Sequence, residues 1–186
     1  GHFNKNKIIF EHYYTANFCR ENFNAHDSGG RIAFIKDQVI LTIGAYDITL
    51  SSSKDEINNL HNPTSEVGAV VSIDLYGKSK IISKGHRNQQ GLAIDGKGLI
   101  FTTEHGPMGG DQFMHIKNGD NYGWPFYSYG FDYLYKDIYM RPKAPEFSEP
   151  VFYFLPSVAP SQLVFYEGNE FPRFKNKIIL STLKSG

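Results

Sequence analysis

The residues best suited to chemistry lie in one short run, residues 104–111, which reads EHGPMGGD. Glycine and proline set backbone conformations that most residues reach only with strain, which suits a loop whose carbonyls or amides face a ligand. The run follows a predicted strand, so a tight turn between two strands is the plain alternative. Its length, together with His105, Asp111 and the nearby Trp124, favours a binding site.

The composition argues against several classes of protein. The 186 residues are enough to bury a core, and 19 basic residues balance 19 acidic ones, so no polyanionic partner is indicated. No basic run alternates with aromatic residues, which argues against nucleic acid. Cys19 is the single cysteine, which excludes an internal disulfide. No apolar run approaches the roughly 18 residues of a membrane helix, and we expect no membrane span.

Strands are the predicted elements that must position these residues. The chain has 15 Phe and 12 Tyr but few helix-forming runs, which indicates β-sheet. Polar turns between short apolar segments predict four hairpins, and residues 54–60 are the best candidate for a short helix. The predicted strand pairs are 31–35 with 39–44, 69–74 with 80–83, 91–94 with 99–103, and 162–166 with 177–181.

The spacing of the hairpins predicts the architecture. They recur at intervals in the range of repeat proteins, roughly 40 to 70 residues, which fits the four-stranded blades of a β-propeller. A β-sandwich is the alternative, but the polar insertions at residues 46–66 and 130–150 fit the loops of a propeller face better. We predict one all-β domain over residues 1–186, an incomplete propeller of about three to four blades. Its open ends predict a larger propeller, or a homo-oligomer that completes the ring.

Ordered motifs give the chain a family resemblance. The motifs are residues 26–31 (HDSGGR), 85–92 (GHRNQQGL), 104–111 with Trp124–Pro125, 156–161 (PSVAPS) and the short 181–184 (STLK). Their order resembles the soluble, pyrroloquinoline quinone (PQQ)-dependent glucose/sorbosone dehydrogenase family, nearer its aldose sugar dehydrogenase branch. The resemblance implies a six-bladed propeller that oxidises the anomeric carbon of an aldose to a lactone by hydride transfer to PQQ. It also implies Ca²⁺, an external electron acceptor and a periplasmic or secreted location, although residues 1–186 contain no signal-peptide pattern.

The resemblance assigns roles at the reacting end of the site. His26 would take the proton of the anomeric hydroxyl, a task that suits the ordinary pKa of histidine. The plain alternative for His26 is a turn residue. Arg87 would stabilise charge on the quinone oxygen, and Asn88 would contact the polar edge of the cofactor. Ser157 would add a hydroxyl to the cofactor site and Lys184 a cation.

The resemblance also assigns metal ligands. The carbonyls of Gly106 and Pro107 would bind the Ca²⁺ that touches the cofactor, since calcium accepts carbonyl oxygen and acts as a Lewis acid. The carbonyl of Tyr122 would serve a second, structural Ca²⁺. Gln112 stands where family members usually have a glutamate, and a neutral ligand weakens that second site. Leu155 stands near a tryptophan position of the glucose dehydrogenase branch.

Two other functions stay open at this point. Gln112, Leu155 and the missing blades allow a propeller that has lost catalysis and serves as a binding or interaction module. A metal-dependent lactone hydrolase also fits a six-bladed propeller. Such hydrolases need a carboxylate-rich calcium cage, which the strand ends of this sequence do not obviously supply.

Overall fold

The computed structural model describes residues 2–4, 7–17, 25–133 and 145–184. Antiparallel strands dominate these ranges, with one α-helix and one short 3₁₀ helix. The strands are β1 (His2–Asn4), β2 (Lys7–Ile9), β3 (Gly29–Ile35), β4 (Gln38–Ile43), β5 (Ala69–Ile73), β6 (Ser79–Ser83), β7 (Gln89–Ile94), β8 (Ile100–Glu104), β9 (Asp111–Ile116), β10 (Phe152–Phe154), β11 (Pro160–Tyr166) and β12 (Lys177–Thr182). The helix α1 spans Lys54–His61, and the 3₁₀ helix spans Pro172–Phe174.

The strands form sheets in which neighbours in sequence are neighbours in space. β3 to β6 make one four-stranded sheet and β7 to β10 a second, while β11 pairs with β12 and β1 with β2. β7 contacts both β3 and β11, so the first strands of three successive sheets lie side by side. This is the arrangement of propeller blades around their axis, and the all-β propeller prediction is confirmed. Two sheets in the described ranges have four strands, and the other two have two.

Aspartate and glycine make two of the four predicted hairpin turns. Asp74 Oδ1 accepts hydrogen bonds from the backbone N–H groups of Tyr76 and Lys78, each 2.9 Å long. Asp95 Oδ1 accepts in the same way from Lys97 and Leu99 in the β7–β8 turn. In these two turns the carboxylate supplies acceptors that the tight backbone leaves out of reach. All four predicted hairpins are found.

The prediction misses four strands and shortens the helix by one residue. β1, β2, β9 and β10 are absent from the predicted strands, and Asp111, predicted at the end of a loop, is the first residue of β9. The helix predicted at residues 54–60 extends to His61. Ser53 and Glu56 form a capping box at its start, where each side chain satisfies a backbone N–H of the other. None of the helices in the described ranges is long and apolar enough to cross a membrane.

The main core lies between the two four-stranded sheets. Ile40 and Val70 from the first sheet pack with Leu92 and Met114 from the second, and all four are buried. Burial of each side chain of this size contributes about 1.5–3 kcal/mol to folding. The two sheets therefore hold the loops at the ends of their strands in fixed relative positions, and those loops carry the predicted site.

A buried lysine gives a test of this packing. Lys84 is 8% exposed, and its Nζ donates hydrogen bonds to the carbonyls of Asn62 and Ser65. Burial lowers the pKa of Lys84 to about 8, and Glu66 opposes this shift. The unfolded chain binds the proton up to its ordinary pKa of about 10.4. Between these values the unfolded state holds more protons, so stability rises with pH.

We therefore expect the urea midpoint of the unchanged protein to rise more steeply between pH 7.5 and 9.5 than that of Lys84→Met. Tyrosine ionisation, which begins near the upper end of this window, acts in the opposite direction where folding raises the tyrosine pKa, but it affects both proteins alike. Lys97→Met, a change at an exposed turn, is the matched control and should keep the slope of the unchanged protein. Equal slopes for Lys84→Met and the unchanged protein would contradict the lowered pKa of Lys84.

Candidate active site

The loop between β8 and β9 holds the chemistry-bearing run, and its glycines are sterically required. Gly109 and Gly110 have φ of 86° and 69°, in the left-handed region that favours glycine. A Cβ on Gly106 would lie 2.2 Å from the carbonyl oxygen of Gly109. The run does connect two neighbouring strands, as its plain alternative of an inter-strand turn predicts. The loop also folds back on itself, so its backbone carbonyls come close to other parts of the site.

The carboxylate of Asp111 ties this loop to the next sheet. Its Oδ1 accepts from the Gly106 N–H at 3.0 Å and from the Ser157 hydroxyl at 2.9 Å. Its Oδ2 accepts from the backbone N–H groups of Val158 and Ala159, at 2.9 and 2.8 Å. Asp111 is 2% exposed, and four donors compensate the cost of burying its charge. The predicted residues Gly106 and Ser157 thus meet on one carboxylate.

The guanidinium of Arg87 lies at the centre of the site. Its Nη2 forms an ion pair with Asp27 Oδ2 at 2.9 Å. Its Nη1 donates to the carbonyls of His105 and Gly106, at 3.2 and 3.1 Å. The guanidinium lies over the ring of Trp124, 5.2 Å from the ring centroid. Among the described residues, the buried Nε of Arg87 finds no hydrogen-bond acceptor.

A buried carboxylate fixes the backbone of Arg87. Glu104 Oε1 accepts from the Arg87 backbone N–H at 2.6 Å, and its Oε2 lies 3.1 Å from His86 Nδ1. His86 Nε2 is 2.8 Å from the Ser83 hydroxyl. Because a carboxylate only accepts, His86 Nδ1 donates its proton to Glu104. This chain of contacts holds the start of β7 against the end of β8.

His26 and Asp27, adjacent residues shortly before β3, differ in their surroundings. His26 is exposed, whereas the carboxylate of Asp27 is mostly buried against Arg87. Burial raises the pKa of Asp27 above its usual range, and the neighbouring Arg87 cation opposes that shift. In the sequence Asp27 is only one residue of the HDSGGR motif, and nothing in the motif gives it a role of its own. Its signal was weak, because the contact with Arg87 joins segments 60 residues apart in the chain.

Asn88 and Lys184 join the site in different ways. Asn88 is buried, and its Oδ1 accepts from the Gly29 N–H at 3.3 Å and from Gln90 Nε2 at 2.7 Å. Lys184 enters through its backbone, whose N–H donates to the Val158 carbonyl at 3.1 Å, while its side chain is exposed. Val158 in turn donates to Asp111, so the chain near Lys184 is tied to the loop of Gly106.

The two carbonyls predicted to bind calcium are of a suitable chemical type, and each already accepts one hydrogen bond. Gly106 O accepts from Arg87, and Pro107 O accepts from the Tyr133 hydroxyl at 2.9 Å. A carbonyl oxygen has two lone pairs, so each retains one for a further partner, and carbonyls are ligands that calcium accepts. No group of three or more His, Cys, Asp or Glu side chains that could hold a metal occurs within the described ranges. The donor set therefore fits a carbonyl site and gives no sign of a carboxylate cage.

The residues of the second predicted metal site, Gln112 and Tyr122, have different contacts. Gln112 points to the opposite face of β9 from Asp111, because successive strand residues alternate. Its buried Oε1 has no hydrogen-bond partner in the described part of the chain. The ring of Tyr122 packs in the main core, and its hydroxyl donates to the His115 carbonyl at 2.6 Å. Among the described residues, no hydrogen bond links Gln112 or Tyr122 to Gly106 or Pro107. The metal-binding roles of Gln112 and Tyr122 stay predictions.

The fold and this site together define a propeller with a buried arginine beside a glycine-rich loop. A profile of the family described as Glucose / Sorbosone dehydrogenase matches residues 3–186. The chain belongs to the glucose/sorbosone dehydrogenase family.

Known proteins agree with this membership. Aldose sugar dehydrogenase YliI of Escherichia coli (strain K12) is 35% identical over 113 residues, which are 58% of this chain and 30% of that protein. A crystal structure of a glucose dehydrogenase superposes with a TM-score of 0.72 and 27% identity, covering 83% of this chain and 48% of that one. The PQQ-bound form of aldose sugar dehydrogenase (Adh) from Streptomyces coelicolor gives a TM-score of 0.63 and 27% identity, covering 84% of this chain and 42% of that one. The chain thus spans less than half the length of these relatives.

We expect the variant Asp111→Asn to destabilise the protein by about 3 kcal/mol or more, because it removes a charged acceptor from four donors at once. Ser157→Ala is the matched control, since it removes one of the four donors and should cost about 1 kcal/mol. Urea unfolding of both variants measures the difference. Equal losses for the two variants would show that the carboxylate does not organise the loop.

Proposed function

We propose that the chain is part of a PQQ- and Ca²⁺-dependent aldose sugar dehydrogenase that oxidises the anomeric carbon of sugars to lactones. One observation carries the proposal. The buried guanidinium of Arg87, with an unpartnered Nε, adjoins the carbonyls of a glycine-rich loop. A buried donor with no acceptor is costly, and an anionic or quinone oxygen at this place would satisfy it. Family membership and the PQQ-bound relative from Streptomyces coelicolor support this choice of cofactor.

Arg87 is suited to stabilise negative charge in the reaction. When bound, PQQ supplies a quinone that takes up the hydride of the anomeric carbon, and Ca²⁺ supplies a Lewis acid beside it. Arg87 is held from three sides, by Asp27, by the loop carbonyls and by Trp124. A donor that is already oriented needs little reorganisation as charge develops, which is the basis of electrostatic catalysis.

Further residues are proposed as cofactor and metal contacts. Asn88 lies next to Arg87 and has an amide suited to a polar ring edge. The Ser157 hydroxyl donates to Asp111 and keeps its lone pairs for another donor. Lys184 would bring its exposed cation toward an acidic group of the cofactor.

The metal ligands are proposed as well. Gly106 and Pro107 would hold Ca²⁺ through their carbonyls. Gln112 and Tyr122 would bind a second Ca²⁺, whose affinity is lower because Gln112 is a neutral ligand.

The surroundings of the reaction are also proposed. The substrate would be an aldose, and an external acceptor would collect the electrons. A periplasmic or secreted location is proposed from the family resemblance. A homo-oligomer that completes the propeller is supported by exposed apolar side chains. They are Ile32 and Phe34 on β3 and Val164 on β11.

A catalytically inactive propeller that serves as a binding module is the second candidate. The observation that favours it is the neutral Gln112 with an unpartnered buried oxygen. Uptake of PQQ without turnover of any aldose would support this alternative over the enzyme.

The test uses the intact natural protein with PQQ and Ca²⁺. Absorbance titration measures cofactor uptake, and dye reduction with a panel of aldoses measures turnover. We expect Arg87→Lys to lower kcat by about a hundredfold, because lysine keeps the charge but loses the planar fork of donors. Arg173→Lys, at an exposed position in the 3₁₀ helix, is the matched control and should keep full activity. No uptake of PQQ and no turnover by the unchanged protein would refute the enzyme.

A further inference from the structure

The backbone around Asp27 is tightly fixed. Asp27 has φ of 54°, a left-handed conformation that is uncommon outside glycine. Its carbonyl accepts from the Tyr46 N–H at 3.2 Å. A Cβ on Gly44 would lie 1.8 Å from that same carbonyl oxygen, so the two chain segments are in direct contact. This packing decides the direction of the Asp27 side chain, which reaches Arg87.

The neighbouring His26 has a different environment. It is exposed, whereas the side chain of Asp27 is only 11% exposed and pairs with a guanidinium that is 9% exposed. A proton acceptor must be within hydrogen-bond reach of the hydroxyl at the moment that hydride leaves the neighbouring carbon. If the charge that develops lies at Arg87, the carboxylate of Asp27 is already in contact with the group that would stabilise that charge.

We infer that Asp27, rather than the adjacent His26, accepts the proton of the anomeric hydroxyl. The inference rests on the proposed sugar oxidation. In that step the O–H and C–H bonds of the anomeric centre break and its C=O bond forms. The electron pair of the C–H bond leaves with hydrogen as hydride to PQQ, the oxidant. The proton passes to the carboxylate of Asp27, whose Oδ2 is paired with Arg87 and whose other oxygen is the proposed acceptor.

The charges around Asp27 are compatible with this task. Burial raises the pKa of Asp27 and makes it a stronger base than an ordinary aspartate. Arg87 opposes the shift, the negative charges of Asp47 and Glu104 add to it, and His105 opposes it weakly. The ion pair keeps the carboxylate ionised and ready to accept, while burial increases the drive to take up a proton.

The main experiment compares Asp27→Asn with His26→Gln in the intact protein. Asparagine matches aspartate in shape but cannot take the proton. We expect Asp27→Asn to bind PQQ in an absorbance titration and to lose turnover by about a hundredfold or more. The loss in His26→Gln should be smaller. Asp47→Asn, which removes a neighbouring negative charge at an exposed position, is the matched control and should stay within about threefold.

A second readout does not depend on turnover. In the protein without cofactor, a carbon-13 titration follows the Asp27 carboxyl, whose resonance is assigned by its absence in Asp27→Asn. Its midpoint should lie above the ordinary value for aspartate, about 3.9. In the loaded protein, kcat/KM should fall as the pH drops and the carboxylate becomes protonated. Asp27→Glu keeps a carboxylate, so this acid limb should remain and move with the new midpoint.

Each contrary result has its own meaning. Turnover within threefold of normal in PQQ-loaded Asp27→Asn, or a larger loss in His26→Gln, overturns the role of Asp27 and leaves the proposed function standing. A carboxyl midpoint at or below the ordinary value also overturns it. If Asp27→Asn does not fold, an acid limb that fails to move in Asp27→Glu overturns it instead. An unchanged protein that binds PQQ but oxidises no aldose refutes the proposed function, and the role of Asp27 falls with it.

Discussion

The arrangement of the site depends on one buried carboxylate, that of Asp111. It is the first residue of β9, and it collects donors from the loop before that strand and from the segment that leads into β11. An unpaired charge at this depth would be costly, so the four hydrogen bonds form together or the loop does not hold its shape. Because Val158 also accepts from the Lys184 backbone, the same carboxylate orders the chain up to its last described residue.

Local sequence patterns predicted the hairpins because their turns are built from neighbouring residues. Aspartate and glycine act within four positions of each other, so the signal lies in the sequence itself. β9 lacked such a signal. Its sequence, DQFMHI, has one β-branched residue and follows a glycine-rich run, so the sequence does not predict a strand at this position. β10 has only three residues, too few for an alternation pattern to emerge.

The sequence predicts individual residues of the candidate site better than it predicts the contacts between them. The motifs identified Arg87, Asn88 and the Gly106 loop, and the structure brings these together. The contacts of Asp111 with Ser157 and of Arg87 with Asp27 could not be read from the sequence, because they join residues 46 and 60 positions apart and depend on how the sheets pack. The same limit applies to His26 and Asp27. They are adjacent in the chain, and the difference between the exposed His26 and the paired Asp27 arises from tertiary packing around them.

The hydrogen bond from Arg87 to the Gly106 carbonyl has a thermodynamic consequence for metal loading. A divalent cation on the second lone pair of that oxygen would lie near the guanidinium, and two positive charges repel each other. Metal binding would therefore work against the charge of Arg87 even though the carbonyl can accept both partners. The affinity measured on the empty protein would include this repulsion, and it would underestimate the intrinsic strength of the carbonyl site.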